Sequence, residues 1–257
     1  MLMTADWVER PHADEHDMLA AALTDWTTPD YVAVRALVAL SVDTYDRLAR
    51  TTAMGRQFVF DVRRRLDENG PAALLHGAPS VAERIVETAA RQIAACGRSD
   101  LTMRTVSGEA HIPRRTLYNL YASSDALIRT CQRRAQTLWR ARFAQRVATA
   151  STDARDRLAA VFDVLDVWVT SPRFRDDLAL RAPPSFAADA RDDDLREHLA
   201  EVERFARGLA AEARIAAPDA FAALVVTNVA GAAAWYDRRE NARTAALTTL
   251  DALVNVR

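Results

Sequence analysis

Apolar residues recur at intervals of three and four along most of this chain, which is the spacing typical of amphipathic helices. In the first 80 residues, this periodicity predicts helices over about 14–26, 31–50 and 54–68. A stretch rich in glycine and proline over 69–79 then predicts a linker. We therefore place a first domain boundary near residue 80.

The pattern changes after this boundary, where four helices follow in quick succession. Ser80 and Glu83 have the spacing of a capping box, in which the hydroxyl and the carboxylate each bond the other residue's backbone amide. Two of the next helices are short, and the fourth is long. The predicted helices run from Ser80 to Gly97, from about Thr102 to Ala110, from Pro113 to about Tyr121, and from Ser123 through Arg142 or beyond.

Helical spacing continues to the end of the chain, and no segment shows the alternation typical of a strand. Further helices are predicted over about 153–170, 172–180, 192–216, 219–240 and 242–255. Alanine, leucine and arginine are abundant, whereas the chain has only 7 glycines. These are helix-forming choices. The sequence therefore predicts an all-α fold.

Composition excludes several classes of protein. No apolar run reaches the roughly 18–20 residues that a membrane span requires, and the polar N-terminus does not match a secretory signal. Two cysteines, Cys96 and Cys131, form neither a disulfide framework nor a metal-site pattern. No phosphate-binding or dinucleotide glycine motif is present. We expect a cytoplasmic protein that is not an enzyme, holds no cofactor or metal, and has no membrane partner.

Charge is unevenly distributed, although the net charge is only −1. Residues 1–80 hold 8 arginines against 12 acidic residues, residues 81–146 hold 12 against 5, and residues 147–257 hold 14 against 18. Every fixed cation is an arginine, because the chain has no lysine. A basic block between two acidic ones favours a polyanionic partner, although it is also compatible with a solvated helix face.

The basic block coincides with the short helices, and three short helices joined by tight turns indicate a helix-turn-helix. In such a unit one helix braces a second, which enters the DNA major groove. We predict that 102–110 is the brace and 113–120 the recognition helix, with apolar contacts between them from Val106, Ala110, Ile112 and Leu117. The residues left on or near the outer surface are Arg114, Arg115, Thr116, Tyr118 and Asn119. Arginine and asparagine bond base edges, and hydroxyl groups bond phosphates.

At these residues the sequence resembles the TetR family of bacterial transcription regulators. The match lies within 85–127, and its most specific part is Thr116-Leu117-Tyr118 followed by Tyr121 and then by Ser123, Asp125 and Leu127. The resemblance implies a homodimeric repressor that binds a palindromic double-stranded DNA operator and is released by a small-molecule effector.

The resemblance also assigns roles to individual residues. It implies phosphate contacts from Thr102 and Tyr118, base contacts from Arg114, Arg115 and Asn119, and a backbone approach at the helix cap of Ser123. Three positions depart from the family pattern: His111 replaces a turn glycine, Gly108 loosens the bracing helix, and Ser124 replaces a lysine. Arg104 or Arg129 would compensate for the lost cation.

The resemblance divides the chain into an N-terminal helical extension of unknown role (1–80), a helix-turn-helix DNA-binding domain (81–130) and an effector-binding and dimerisation domain (131–257). Candidate pocket residues are Phe162, Leu165, Trp168, Phe174 and Leu178, which equally fit a helical core. Candidate dimer-interface residues are Phe205, Leu209, Phe221, Leu224, Val225, Asn228 and Ala232, which also fit packing within one chain. The family pattern does not account for residues 1–80.

Three alternatives remain open. The chain is a regulator that needs no effector and acts through protein contacts of its extension, or a helical bundle that has lost DNA binding. The third is a zinc hydrolase, because His12, Glu15 and His16 match the H-x-x-E-H pattern of zinc peptidases. That pattern lies in a polar terminus and no third ligand is identifiable, so a chance match is the better account.

Overall fold

The computed structural model describes residues 13–171, 173–174, 193–235 and 239–254. These residues form helices and no strand, as the all-α prediction requires. The helices are α1 (Ala13–Thr24), α2 (Asp30–Leu40), α3 (Tyr45–Thr51), α4 (Arg56–His76), α5 (Val81–Cys96), α6 (Met103–Glu109), α7 (Arg114–Leu120), α8 (Ser124–Ala150), α9 (Ala154–Thr170), α10 (Asp193–Glu212), α11 (Pro218–Trp235) and α12 (Arg239–Val254). Most of the helix predicted over 172–180 lies outside the described residues.

The single helix predicted over 31–50 is wrong, because the chain breaks between α2 and α3. Ser41 is extended, and its hydroxyl accepts a hydrogen bond from the Asp43 amide at 3.2 Å. The Thr44 hydroxyl then caps α3 by accepting from the Arg47 amide at 3.4 Å. Serine and threonine offer the backbone such alternatives to helical bonding. The apolar stripe continues across the break, which is why periodicity alone does not detect it.

The linker predicted from residue 69 is also wrong in part, since helical structure resumes at Pro71 and continues to His76. Gly70 separates the two halves of α4 with φ 73° and ψ 173°. A residue with a side chain rarely adopts this conformation, whereas the fixed φ of proline suits a helix start. Leu74 and Leu75 are buried in the second half, so this short helix contributes to the core.

Three hydrophobic cores lie along α8, which contributes to each of them. Leu127 and Cys131 belong to a core shared with α5, α6 and α7. One to two turns further on, Leu138 joins the core of the N-terminal helices α1–α4. Trp139 and Phe143 join the core formed with α9, α10, α11 and α12. A displacement of α8 would therefore be felt by all three parts of the chain.

The N-terminal extension is joined to α8 by buried arginine contacts as well as by packing. Arg142 is 1 % exposed, and it donates to the Leu23 carbonyl at 3.1 Å and to the Thr28 carbonyl at 3.0 Å. Arg146 donates to the Thr24 carbonyl at 2.8 Å. These carbonyls lie at and beyond the end of α1, where a helix leaves acceptors unsatisfied. The extension is thus part of the folded body.

Asp30, at the start of α2, is the anionic centre of the same junction. Burial alone would raise its pKa, but Arg173, Arg134 and Arg142 together hold the pKa below its ordinary value. Arg173 donates to its carboxylate at 2.6 Å, and Arg142 at 3.4 Å. The junction therefore depends on an ionised carboxylate.

Candidate nucleic-acid interface

The capping box predicted at the start of α5 is present. The Ser80 hydroxyl accepts from the Glu83 amide at 3.3 Å, and the Glu83 carboxylate accepts from the Ser80 amide at 2.6 Å. At the other end, Gly97 has φ 86° and ψ 169°, a combination that is nearly exclusive to glycine. Both bounds of this helix therefore follow from local sequence.

The bracing helix α6 is held against α5 by a small polar network. Thr102 caps the helix, since its hydroxyl accepts from the Thr105 amide at 3.1 Å. The Thr105 hydroxyl in turn donates to Gln92 of α5 at 3.0 Å. Gln92 and Arg91 both donate to the Glu109 carboxylate, at 2.7 and 3.1 Å. These bonds fix α6 at both of its ends.

The turn between α6 and α7 is a Schellman motif with histidine at the position where glycine is usual. The Ile112 amide donates to the Ser107 carbonyl at 3.1 Å, and the His111 amide donates to the Gly108 carbonyl at 3.3 Å. This pair of bonds defines the motif. His111 has φ 54°, so it adopts the left-handed conformation that favours glycine, which is the residue it replaces.

The apolar contacts predicted inside this unit are also present. Val106 and Leu117 are fully buried, and Ala110 and Ile112 are nearly so. All four belong to one core with Leu127 of α8 and with the inner face of α5. Helix α7 is therefore fixed by a single central leucine and by the turn before it.

The opposite face of α7 is exposed. Arg114, Arg115, Tyr118 and Asn119 all face solvent, and Thr116 is half-buried. Tyr118 is 53 % exposed despite its aromatic ring. None of these side chains forms a hydrogen bond or ion pair with any residue that the structure describes. This face carries two fixed cations and no carboxylate.

Some exposed arginines of the other helices form ion pairs, whereas Arg50, Arg65, Arg84 and Arg155 form none with the residues that the structure describes. On α3, Arg47 pairs with Asp43 at 3.4 Å; on α4, Arg64 pairs with Glu68 at 3.3 Å; and on α10, Arg207 pairs with Glu203 at 2.6 Å. Arg104 of α6 and Arg129 of α8 resemble the α7 arginines, since both are exposed and have no ion pair within the described ranges. The segment 104–129 therefore holds four such arginines against two acidic residues, Glu109 and Asp125.

The start of α8 adds hydroxyl groups beside α7. The Ser123 hydroxyl accepts from the Ala126 amide at 3.1 Å, which leaves its own hydrogen available to an acceptor outside the chain. Ser124 is half-buried in the first turn. An N-terminal helical turn attracts anions through its free amides and its dipole.

Behind this face, α8 packs against α5 and buries the side chain of Cys131. Burial raises the pKa of Cys131 to about 12 and that of Tyr121 to about 12. The Cys131 thiol donates to the Val86 carbonyl at 3.7 Å. Arg134, one turn further along α8, forms an ion pair with Glu87 of α5. The contact between α5 and α8 is therefore buried and joined by an ion pair.

Four of the predicted effector-pocket residues lie in a hydrophobic core. Phe162, Leu165, Trp168 and Phe174 are each buried within the core of the C-terminal helices. Trp168 contacts Phe174 edge to face, with ring centroids 4.8 Å apart. Leu178 lies outside the described residues. The core alternative raised for this aromatic stripe thus fits the observed packing, and a sizeable cavity lies elsewhere, between α2, α3, α8 and α10.

The predicted dimer residues divide into two groups. Leu209, Phe221 and Val225 are buried inside the single chain, because their helices pack on α9 and on each other, so they present no outer face to a partner. Phe205, Leu224 and Asn228 are partly exposed, and Phe205 also contacts the Phe143 ring. Ala232 belongs to α11, but its side chain lies outside the described residues.

The H-x-x-E-H match falls at the start of α1. Glu15 is half-buried and His16 is exposed, whereas His12 lies outside the described residues. Within the described part of the chain, no group of three or more histidine, cysteine or acidic residues has the arrangement of a metal site. In the same ranges, no helix has the length and apolar character that a bilayer crossing requires.

No family model, curated protein or solved structure matches this chain. The resemblance to the TetR family therefore rests on the sequence of α5, α6, α7 and the start of α8.

Proposed function

We propose that this chain is a sequence-specific DNA-binding transcription regulator that acts as a homodimeric repressor on a palindromic operator. The observation that carries the proposal is the solvent face of α7, where Arg114, Arg115, Tyr118 and Asn119 lie exposed without internal partners. A helix with such a face, held by a bracing helix and a tight turn, has the form that enters a major groove.

The charge pattern supports DNA rather than an acidic protein patch. The cations around α7 lie on the most basic stretch of the sequence, and planar guanidinium groups bond guanine in bidentate fashion. Thr102 and Ser123 place hydroxyl groups at two helix N-termini on either side of α7. Such groups bond phosphates and set the register of a protein on the duplex.

The homodimer and the effector are proposed from the resemblance, with support from surface composition. The outer positions of α11 include the exposed Ala220, Ala223 and Thr227. Small residues allow two helices to approach closely, so α10 and α11 of two protomers are candidates for a four-helix interface. Two recognition helices would then be related by a twofold axis, which is why the operator is proposed to be palindromic.

An effector-independent regulator is the second candidate. It is favoured by apolar side chains exposed on the extension, where Val42 is 93 % and Phe60 is 49 % exposed. Deleting the extension is a poor test, because its contacts with α8 would be lost as well. The variant Val42→Ser/Phe60→Ser leaves those contacts intact. If it abolishes regulation without changing operator binding in vitro, regulation proceeds through the extension.

The test of DNA binding is selection of bound sequences from a random duplex pool by the full chain, followed by gel-shift titration. A palindromic consensus is expected. Arg114→Ala should relax preference at one base position, at a cost of roughly 1–3 kcal/mol. Tyr118→Phe should weaken all sequences about equally, because its contact is with phosphate.

Arg64→Ala on α4 serves as the matched control and should change neither property. Failure of the pool to converge on any sequence would contradict the proposal. A convergent site whose base preferences are unchanged in Arg114→Ala would contradict the assignment of α7 as the recognition helix.

A further inference from the structure

A cavity of about 700 Å³ lies between the extension and the C-terminal helices, beside α8. Its volume is within the range of roughly 300–1,000 Å³ typical of small-molecule sites. Three walls line it: α2 and α3 with the turn between them, the middle of α8, and the first half of α10. Each part of the chain except the helix-turn-helix thus contributes to it.

The α8 wall is basic and polar. Arg133, Gln136, Thr137 and Arg140 line the cavity, and their spacing of three and four places them on one helical face. Gln136 is only 3 % exposed, and its amide forms no hydrogen bond with any residue that the structure describes. A buried amide of this kind retains capacity for both donation and acceptance, which the cavity makes available to a ligand.

Arg140 adds a cation that is not neutralised by a direct carboxylate contact. Its guanidinium donates to the Thr137 hydroxyl at 3.3 Å and lies 2.8 Å from Nδ1 of the buried His198. Burial lowers the pKa of Arg140, against the opposing effect of Glu201 and Glu197. A neutral hydroxyl and an imidazole do not compensate the positive charge of this half-buried arginine as a carboxylate does. An anionic group in the cavity would.

The α10 wall is acidic. Asp194, Glu197, His198 and Glu201 line it at the spacing of one helical face. Asp194 is already paired, since it accepts from Arg133 at 2.7 Å. The exposed Glu197 forms no hydrogen bond or ion pair with residues in the described ranges, so its carboxylate remains available to a cation.

The third wall comes from the extension and is again mainly basic. Arg47 and Arg50 of α3 line the cavity on this side, with Asp43 paired to Arg47. A ligand that contacts all three walls therefore meets cations on α3 and α8 and carboxylates on α10. A molecule carrying both charges therefore complements all three walls.

We propose that this cavity binds a small zwitterion of the amino-acid or short-peptide class. Its carboxylate lies toward Arg140 and Arg50, its ammonium toward Glu197, and an amide or carboxylate oxygen toward Gln136. Such a ligand ties α3 to α10 across α8, the helix that also carries part of the helix-turn-helix core. An effect of the ligand on DNA binding rests on the proposed function, whereas binding of the ligand to the cavity does not.

The experiment is isothermal titration of the full chain with the free amino acids and a dipeptide set, which are separate arms for the two sizes of ligand. At least one compound is expected to bind with a Kd below about 1 mM. Blocking its ammonium by acetylation, or its carboxylate by amidation, should weaken binding at least tenfold. Glu197→Gln and Arg50→Gln, both at exposed positions, should do the same.

Glu68→Gln and Arg64→Gln on α4 are the matched controls and should leave binding unchanged. The proposal is overturned if no compound in either arm binds below that Kd, or if the blocked compounds or the two cavity variants bind as well as their parents. Gel shifts run in parallel separate the two proposals. Ligand binding without DNA binding refutes only the proposed function, and DNA binding without ligand binding refutes only this site.

Discussion

Arg35 and Glu83 form a fully buried, bidentate ion pair across 48 residues of sequence, with Nε to Oε1 at 2.8 Å and Nη2 to Oε2 at 2.7 Å. The remaining guanidinium hydrogens reach the carbonyls of Leu74, Gly77 and Ala78 at 2.8–3.0 Å. All five donors of the arginine are thus satisfied. Because Glu83 also completes the capping box of α5, one carboxylate holds both the N-terminal helices and the start of α5.

Removing either partner of this pair should be costly. Arg35→Leu leaves a buried carboxylate without its cation, and we expect a loss of roughly 3–5 kcal/mol in the free energy of unfolding. Urea denaturation followed by circular dichroism measures it. Arg64→Leu, at a surface pair, should cost at most about 1 kcal/mol. Equal losses of unfolding free energy in the two variants would show that the buried pair stabilises the fold no more than the surface pair.

Asp30 predicts an acid-sensitive junction. Because its folded pKa lies below the ordinary value of 3.8, its ionised form contributes stability that is fully present above that value and is lost as pH falls through the folded pKa. Asp30→Asn should therefore be less stable than the parent near neutral pH. The difference in the free energy of unfolding between Asp30→Asn and the parent should become smaller below about pH 4.

Denaturation midpoints at a series of pH values check this expectation. Asp61→Asn, on the exposed face of α4, is the control and should show a small gap at neutral pH. A difference between Asp30→Asn and the parent that stays constant down to the lowest pH would mean that the carboxylate does not act through its charge.

His111→Gly should stabilise the turn before α7. A left-handed residue with a side chain costs about 1–2 kcal/mol, whereas glycine loses about 0.5–1 kcal/mol more backbone entropy on folding. A net gain of about 0.5–1 kcal/mol is expected, since the exposed imidazole contributes little. His111→Ala keeps the unfavourable φ and should show no gain. Equal stability of the two variants would refute the strain argument.

The two cysteines should differ sharply in reactivity. Cys96 is exposed, whereas Cys131 is buried with a pKa raised to about 12, so little thiolate is present at Cys131 near neutral pH. In Cys96→Ser, labelling by a thiol reagent should be slow and should follow opening of the packing between α5 and α8. In Cys131→Ser, labelling should be immediate. Rapid labelling of Cys131 in the folded protein would contradict the described burial.

Ser124→Lys should strengthen the proposed DNA binding. A lysine in the first turn of α8 would add one phosphate contact, so the slope of log affinity against log salt should steepen by about one unit. Gel shifts over a range of salt concentrations measure the slope. Gln57→Lys on α4 makes the same change in net charge and should leave the slope as it was.

Neighbouring residues in the sequence were enough to predict local features such as helix caps and the contacts between adjacent helices. Ser80 with Glu83 predicted the capping box, and Val106 with Leu117 predicted the contact between α6 and α7. The predicted helix over 31–50 failed because the hydroxyls of Ser41 and Thr44 divert the backbone while the apolar spacing continues. The spacing of apolar residues does not indicate whether such hydroxyl contacts will interrupt the helix.

Long-range pairing explains the rest. Arg35 stands in an apolar helical stripe, and nothing near it in the sequence indicates a carboxylate 48 residues away. Trp168 and Phe174 have the same spacing in a core as in a pocket wall, and only the packing of their neighbours separates the two. The cavity residues come from three distant segments, so no single motif predicts them.

The contacts of Arg142 bear on how this chain folds during its synthesis. The Leu23 carbonyl that it satisfies precedes it by 119 residues, and Leu138 completes the core of α1–α4 only when α8 has been made. At ordinary rates of translation, on the order of 10 s separates the synthesis of the two segments. During that interval, the face of α1–α4 that Leu138 and Arg142 cover in the folded chain has no α8 against it.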